Sequence, residues 1–134
     1  MAKQAILCVD DEAIILIAMK QELKRHFGPR FVYETALNAE EAIEAMQELL
    51  VDGVEVVVVI SDWLMPGMKG DEFLILVHKL YPAVATVMVT GQADEEAIER
   101  AVAAAKIRAC IRKPWKSHEL ISIIETVLEE RDSA

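Results

Sequence analysis

The sequence predicts an α/β domain built of repeated strand-helix units around a parallel sheet. Short apolar runs alternate with longer stretches of helical spacing, which is the pattern such units leave. The clearest run, Val56-Val57-Val58-Val59-Ile60, is unbroken and β-branched, as a strand covered on both faces requires. The chain has 134 residues, 54% of them hydrophobic, enough for one core and too few to divide into two. A single domain over 1–134 is expected, structured from about residue 4 to about 130, with 131–134 a frayed tail or linker stub.

Five strands are expected: β1 over 5–9, β2 over 31–34, β3 over 56–60, β4 over 84–89 and β5 over 109–111. Helical spacing places α1 over 14–26, α2 over 39–50, α3 over 71–80, α4 over 95–105 and α5 over 118–130. Boundary chemistry agrees. Asn38 with Glu41 has the form of a capping box, Asp94 and Ser117 are N-cap candidates, and Gly28-Pro29 and Pro82 close the helices before them.

A net charge of −9 argues against a chain that grips nucleic acid directly. No apolar run approaches the roughly 20 residues of a membrane helix, and the first residues lack a secretory pattern, so a cytoplasmic protein without membrane contact is expected. Cys8 and Cys110 have no metal-ligand spacing and are expected to be small apolar residues in buried strands. His26, His78 and His118 are scattered and belong to the surface or to helix ends, Met88 to the core, and Trp115 to a partly exposed position.

In an open parallel sheet, ligands bind at the carboxyl ends of the strands, and four of the five ends here carry polar chemistry. β1 ends in Asp10-Asp11-Glu12, β3 in Ser61-Asp62, β4 in Thr90-Gly91 and β5 in Arg112-Lys113-Pro114. Asp10, Asp11 and Asp62 packed together would repel one another unless a cation neutralised them. Hard oxygen ligands at a shallow, watered cleft favour Mg2+. Asp62, ending the central strand, is the natural nucleophile. Lys113 and the metal could neutralise an added anion, and Thr90 could donate a hydrogen bond to it, which is the equipment of phosphoryl transfer.

At these residues the chain resembles the receiver domains of two-component response regulators, of the kind found in chemotaxis regulators, over essentially its whole length. The resemblance is carried by Asp10-Asp11, by Asp62-Trp63-Leu64-Met65-Pro66-Gly67-Met68-Lys69-Gly70, by Thr90-Gly91 and by Lys113-Pro114, in that order and at strand ends. It implies a flavodoxin-like, doubly wound (βα)5 sheet in the order 2-1-3-4-5. It implies a phosphorelay module whose only enzymology is its own aspartyl phosphorylation and dephosphorylation. Asp62 would be the phosphoacceptor and Asp11 a direct Mg2+ ligand. Asp10 would act largely through bound water, and the Leu64 backbone carbonyl would be a third ligand. Lys113 would pair with the phosphoryl group, Thr90 would move to bond it, and the Lys113-Pro114 peptide would be cis. The implied partners are a sensor histidine kinase or phosphotransfer protein and, through the α4-β5-α5 face, a downstream partner or output domain. The domain itself would be a monomer or weak homodimer.

Two positions depart from that pattern. Cys110 stands where many receivers carry the Tyr or Phe that turns inward with the switch Thr, so the change would fall to the loop after Thr90 and to α4. Leu64, two residues past Asp62, and Gln92, two past Thr90, flank the path of an attacking water, and an apolar Leu64 predicts a long-lived phosphoryl group. Two rival readings fit these residues less well. A haloacid-dehalogenase-type phosphatase would carry a second acid two residues after its nucleophile, where this chain has Leu64. A flavodoxin-like FMN carrier would need a phosphate loop after β1, where Asp10-Asp11-Glu12 would repel a phosphate.

Overall fold

The computed structural model describes residues 3–91 and 95–133. The elements run β1 (Gln4–Val9), α1 (Ala13–Phe27), β2 (Val32–Ala36), α2 (Ala39–Val51), β3 (Glu55–Asp62), α3 (Gly70–Leu80), β4 (Ala85–Thr90), α4 (Glu95–Arg100), β5 (Ala109–Arg112) and α5 (Ser117–Ser133). All strand pairs are parallel and the order is β2-β1-β3-β4-β5, as expected. Period-2 alternation sends successive side chains of the central strands to opposite faces. Leu7, Val9 and Val59 pack with Met46, Phe73, Leu74 and Val77 of α2 and α3. Ile6, Cys8, Val58 and Ile60 pack with Leu16, Met19, Leu23, Leu120 and Ile124 of α1 and α5. A bulge in the β1–β3 pairing, where Ala5 faces Val56 but Ile6 faces Val58, sets the register that carries Val9 to Ser61.

The capping chemistry is mostly as expected. Asn38 accepts the Glu41 N–H at 2.8 Å, while the Glu41 carboxylate reaches back to the Leu37 N–H, one residue before the usual target. Gly28, at φ 61, ends α1 with its N–H on the Lys24 carbonyl and opens a single 3-10 turn, Gly28–Arg30. Asp94 lies outside the described residues. Ser117 is not a cap: it is the first helical residue, the Lys116 carbonyl accepts the Leu120 N–H, and the Ser117 hydroxyl donates to Glu22 on α1.

Several boundaries differ from the expected ones for physical reasons. β2 begins at Val32, because Phe31 is buried beside the α1 end against Phe27 and lies outside the strand. β3 and β4 run on through Asp62 and Thr90, which are paired residues of the sheet, facing Val89 and Arg112. α4 is α-helical only to Arg100 and passes into a π-helical turn, Ala101–Ala105. Lys106 closes that turn in the left-handed conformation, φ 55, with its N–H on the Ala101 carbonyl. Ala97, Ala101 and Ala105 are fully buried, and Ile98 packs partly buried beside them. The expected tail from 131 is helical to Ser133, held by an Arg131–Glu55 ion pair and an Arg131 hydrogen bond to the Ala83 carbonyl. Cys8 is buried as expected, but Cys110 is only half-buried near the edge of the sheet. No helix of the described residues is long and apolar enough to cross a membrane.

Candidate functional site

The carboxyl ends of β1, β3 and β5 bring Asp10, Asp62 and Lys113 together from opposite ends of the chain. Asp10 and Asp62 are buried, and Asp11, the next residue on the loop, is exposed. One carboxylate oxygen from each of Asp10, Asp11 and Asp62 lies within 4.8 Å of the others. The Lys113 ammonium bridges the two buried acids, donating to Asp10 Oδ2 at 2.8 Å and lying 3.2 Å from Asp62 Oδ1. Asp10 Oδ1 accepts the Glu12 N–H at 2.8 Å, which orients the acid at the start of α1.

Burial raises the Asp62 carboxyl from its ordinary 3.8 to about 6, and the Asp10 charge adds to the rise, while Lys113 opposes it. Burial also works against the Lys113 ammonium. The hydrogen bond to Asp10 and the charges of Asp62 and Asp10 outweigh it, and its pKa is raised. Two acids thus share one ammonium with a third acid close by, and negative charge is in excess. Hard oxygen donors in that surplus fit a hard divalent cation such as Mg2+, with Asp11 open to solvent at the rim.

Thr90 ends β4, buried, and its carbonyl accepts the Lys113 N–H at 3.0 Å. The backbone therefore ties the hydroxyl-bearing residue directly to the lysine-bearing one. The Lys113-Pro114 peptide is cis. The Leu64 side chain, two residues past Asp62, is exposed, and Cys110 pairs with Met88 in the β4–β5 ladder. Gln92 lies outside the described residues.

The supporting contacts of Gly70, Trp63, Asp71 and Glu22 are not legible in the sequence. Gly67 and Gly70 look alike as turn glycines, and Gly67 does adopt a turn conformation at φ 79. Gly70 is different: a Cβ there would sit 2.0 Å from the Asp62 carbonyl oxygen, so α3 can begin against the nucleophile's backbone only without a side chain. Trp63 donates its indole N–H to Asp71 at 3.0 Å, and Asp71 also receives Arg100. The clue to Asp71 was a lone acid at i−3 from Leu74 on the apolar face of α3, hidden because first-turn acids suit the helix dipole anyway. Glu22 accepts from both Trp115 and Ser117, and nothing in its spacing marks it.

The response regulator receiver domain family matches residues 6–125, nearly the whole of the chain. The chain belongs to this family. Among curated relatives of this receiver domain, it is 34% identical to the hydrogenase transcriptional regulatory protein HoxA of Cupriavidus necator, over 95% of this chain and 25% of that protein. It is 30% identical to a chemotaxis protein CheY homolog of Campylobacter jejuni, over 92% of this chain and 91% of that protein. The receiver thus spans about a quarter of HoxA and nearly all of the CheY homolog. Among solved structures, the CheY-like receiver domain from Methanospirillum hungatei superposes with a TM-score of 0.85 at 31% identity, covering 98% of both chains. The receiver domain of an HD domain-containing protein from Pseudomonas fluorescens gives 0.85 at 30% identity, over 98% of this chain and 99% of that one. These matches place the chain in two-component signalling, in which receivers act as phosphoacceptors. They lend no support to the phosphatase reading.

Proposed function

We propose that Asp62 is the phosphoacceptor of this receiver, taking a phosphoryl group from a phosphohistidine on a sensor kinase or phosphotransfer protein. The observation that carries the reading is the buried Asp62 carboxylate, ending the central strand between two further acids and the Lys113 ammonium. One Asp62 oxygen attacks phosphorus, the P–N bond to the donor imidazole breaks, and the departing nitrogen takes up a proton. With its pKa near 6, Asp62 is ionised and nucleophilic at neutral pH. Mg2+ would be held by Asp11 and Asp62, with Asp10 and the Leu64 carbonyl in support, and would supply charge neutralisation to the phosphoryl oxygens. Lys113, already 3.2 Å from Asp62, pairs with the added phosphoryl charge, and the Thr90 hydroxyl hydrogen-bonds it. Leu64 offers no polar atom on its side chain to orient an attacking water, which favours a long-lived acyl phosphate. The charged state then alters the α4-β5-α5 face that meets an output domain or downstream partner.

The test is intact mass after incubation with acetyl phosphate and Mg2+. We expect one phosphate adduct on the parent and none on Asp62→Asn. An adduct retained by Asp62→Asn, or absent from the parent, overturns the assignment.

A further inference from the structure

Cys110 leaves the usual place of a turning ring to a half-buried thiol, which cannot carry a change from Asp62 to α4 by swinging as a ring does. One continuous route exists among the described residues. Trp63 follows Asp62 directly. Its backbone N–H donates to the Val89 carbonyl of β4 at 3.0 Å, and its own carbonyl accepts the Gly70 N–H at 2.7 Å. Its ring is buried and its indole N–H reaches Asp71 Oδ1 at 3.0 Å. The other oxygen, Asp71 Oδ2, receives Arg100 Nε and Nη2, both at 3.2 Å.

Asp71 is 1% exposed, and a carboxylate so buried is held there only by its partners, here one from the Asp62 loop and one from α4. α4 is a short helix that widens into a π turn immediately after Arg100, so its own hydrogen bonds hold it weakly. It is attached through Ala97, Ile98, Ala101 and Ala105, which pack on the core, and through the Arg100 fork.

We propose that Asp71 is a positioning residue that couples the Asp62 loop to α4, gripping Arg100 in the resting state and loosening it when Asp62 is phosphorylated. The inference rests on the reading of Asp62 as phosphoacceptor. Phosphorylation adds about −1.5 to −2 charge in place of a single carboxylate. That charge lies one residue from Trp63, and any shift of the β3 end moves the indole donor away from Asp71 and misaligns the Arg100 fork.

The test follows hydrogen exchange over 95–105 before and after acetyl phosphate with Mg2+, with intact mass reporting the adduct in the same samples. Arg100→Gln is the first variant, more than half of that side chain is exposed, and circular dichroism of the variant checks that the fold is retained. Trp63→Phe removes the indole donor at the other end. In the parent, phosphorylation should speed exchange of α4 by about fivefold. In both variants resting α4 should already exchange at the faster rate, and phosphorylation should add less than about twofold. Arg100→Lys, which keeps the charge, should recover part of the difference. A phosphorylated parent whose α4 does not respond, or a full α4 response in both phosphorylated variants, overturns the coupling and leaves the phosphoacceptor assignment standing. A parent with no adduct overturns the assignment, and the coupling with it.

Discussion

Asp62 is held in a setting that favours its uncharged form, since burial and Asp10 both oppose ionisation and Lys113 offsets them only in part. The sign follows from the raised value. Below 3.8 the group is protonated folded and unfolded alike, and its charge costs the fold nothing. Between 3.8 and about 6 the folded state holds the proton more tightly, so this group's contribution to stability falls as pH rises and is flat above that range. Asp62→Asn removes the charge and keeps the shape. In metal-free buffer it should be more stable than the parent by about 1–2 kcal/mol at pH 7.5, discounted for Lys113 pairing and rim solvent. The gap should close near pH 4. Urea melts of both proteins at the two pH values check this, and a gap that widens on acidification contradicts the raised pKa. Little of this was legible beforehand, because the sequence places three acids at strand ends without saying that two are buried and bridged by Lys113. Gly70 shows the same limit: its role depends on the Asp62 carbonyl it lies against, a neighbour that only the folded turn supplies.

At the scale of elements, the spacing of apolar residues located the five strands and five α-helices of the described residues, because each buries a face whose spacing the chain displays. What it could not register was geometry between elements. The π turn at Ala101–Ala105 has the same apolar spacing as an α-helix over so short a span, and the Ser117 hydroxyl, placed in sequence where a cap would be, is spent on α1. That contact belongs to a clamp. Glu22 accepts the Trp115 indole N–H at 2.7 Å and the Ser117 hydroxyl at 2.8 Å, fastening the loop that follows Lys113 onto α1. Glu22→Ala should cost about 1–2 kcal/mol, since two hydrogen bonds to a charged, partly buried acceptor are lost. Trp115 emission should shift to the red as the ring gains water. Urea melts and emission spectra in a Trp63→Phe background measure both, and an unchanged spectrum removes the clamp.

At the scale of the whole molecule, the site exists only when the sheet is complete. Lys113 reaches Asp10 across 103 residues of sequence, and Asp62 comes from the strand between. The order in which the strands lie was legible only through the resemblance to receivers, because alternating runs fix that the sheet is parallel and leave its winding open. The same closure ties cation binding to global stability. A divalent ion held by acids from β1 and β3 meets its ligands together only in the folded chain, so binding must stabilise the fold by mass action. Mg2+ at about a hundred times its dissociation constant should raise stability by about 2.7 kcal/mol. Most of the gain should vanish in Asp11→Asn, which deletes the exposed rim acid without touching the buried Lys113 bridge. Calcium should give a smaller gain, because a rim with one exposed carboxylate and room for waters suits the smaller octahedral ion. Thermal melts with Mg2+, with Ca2+ and with EDTA decide it. Equal gains in the parent and in Asp11→Asn would locate the stabilising ion elsewhere than among these three acids.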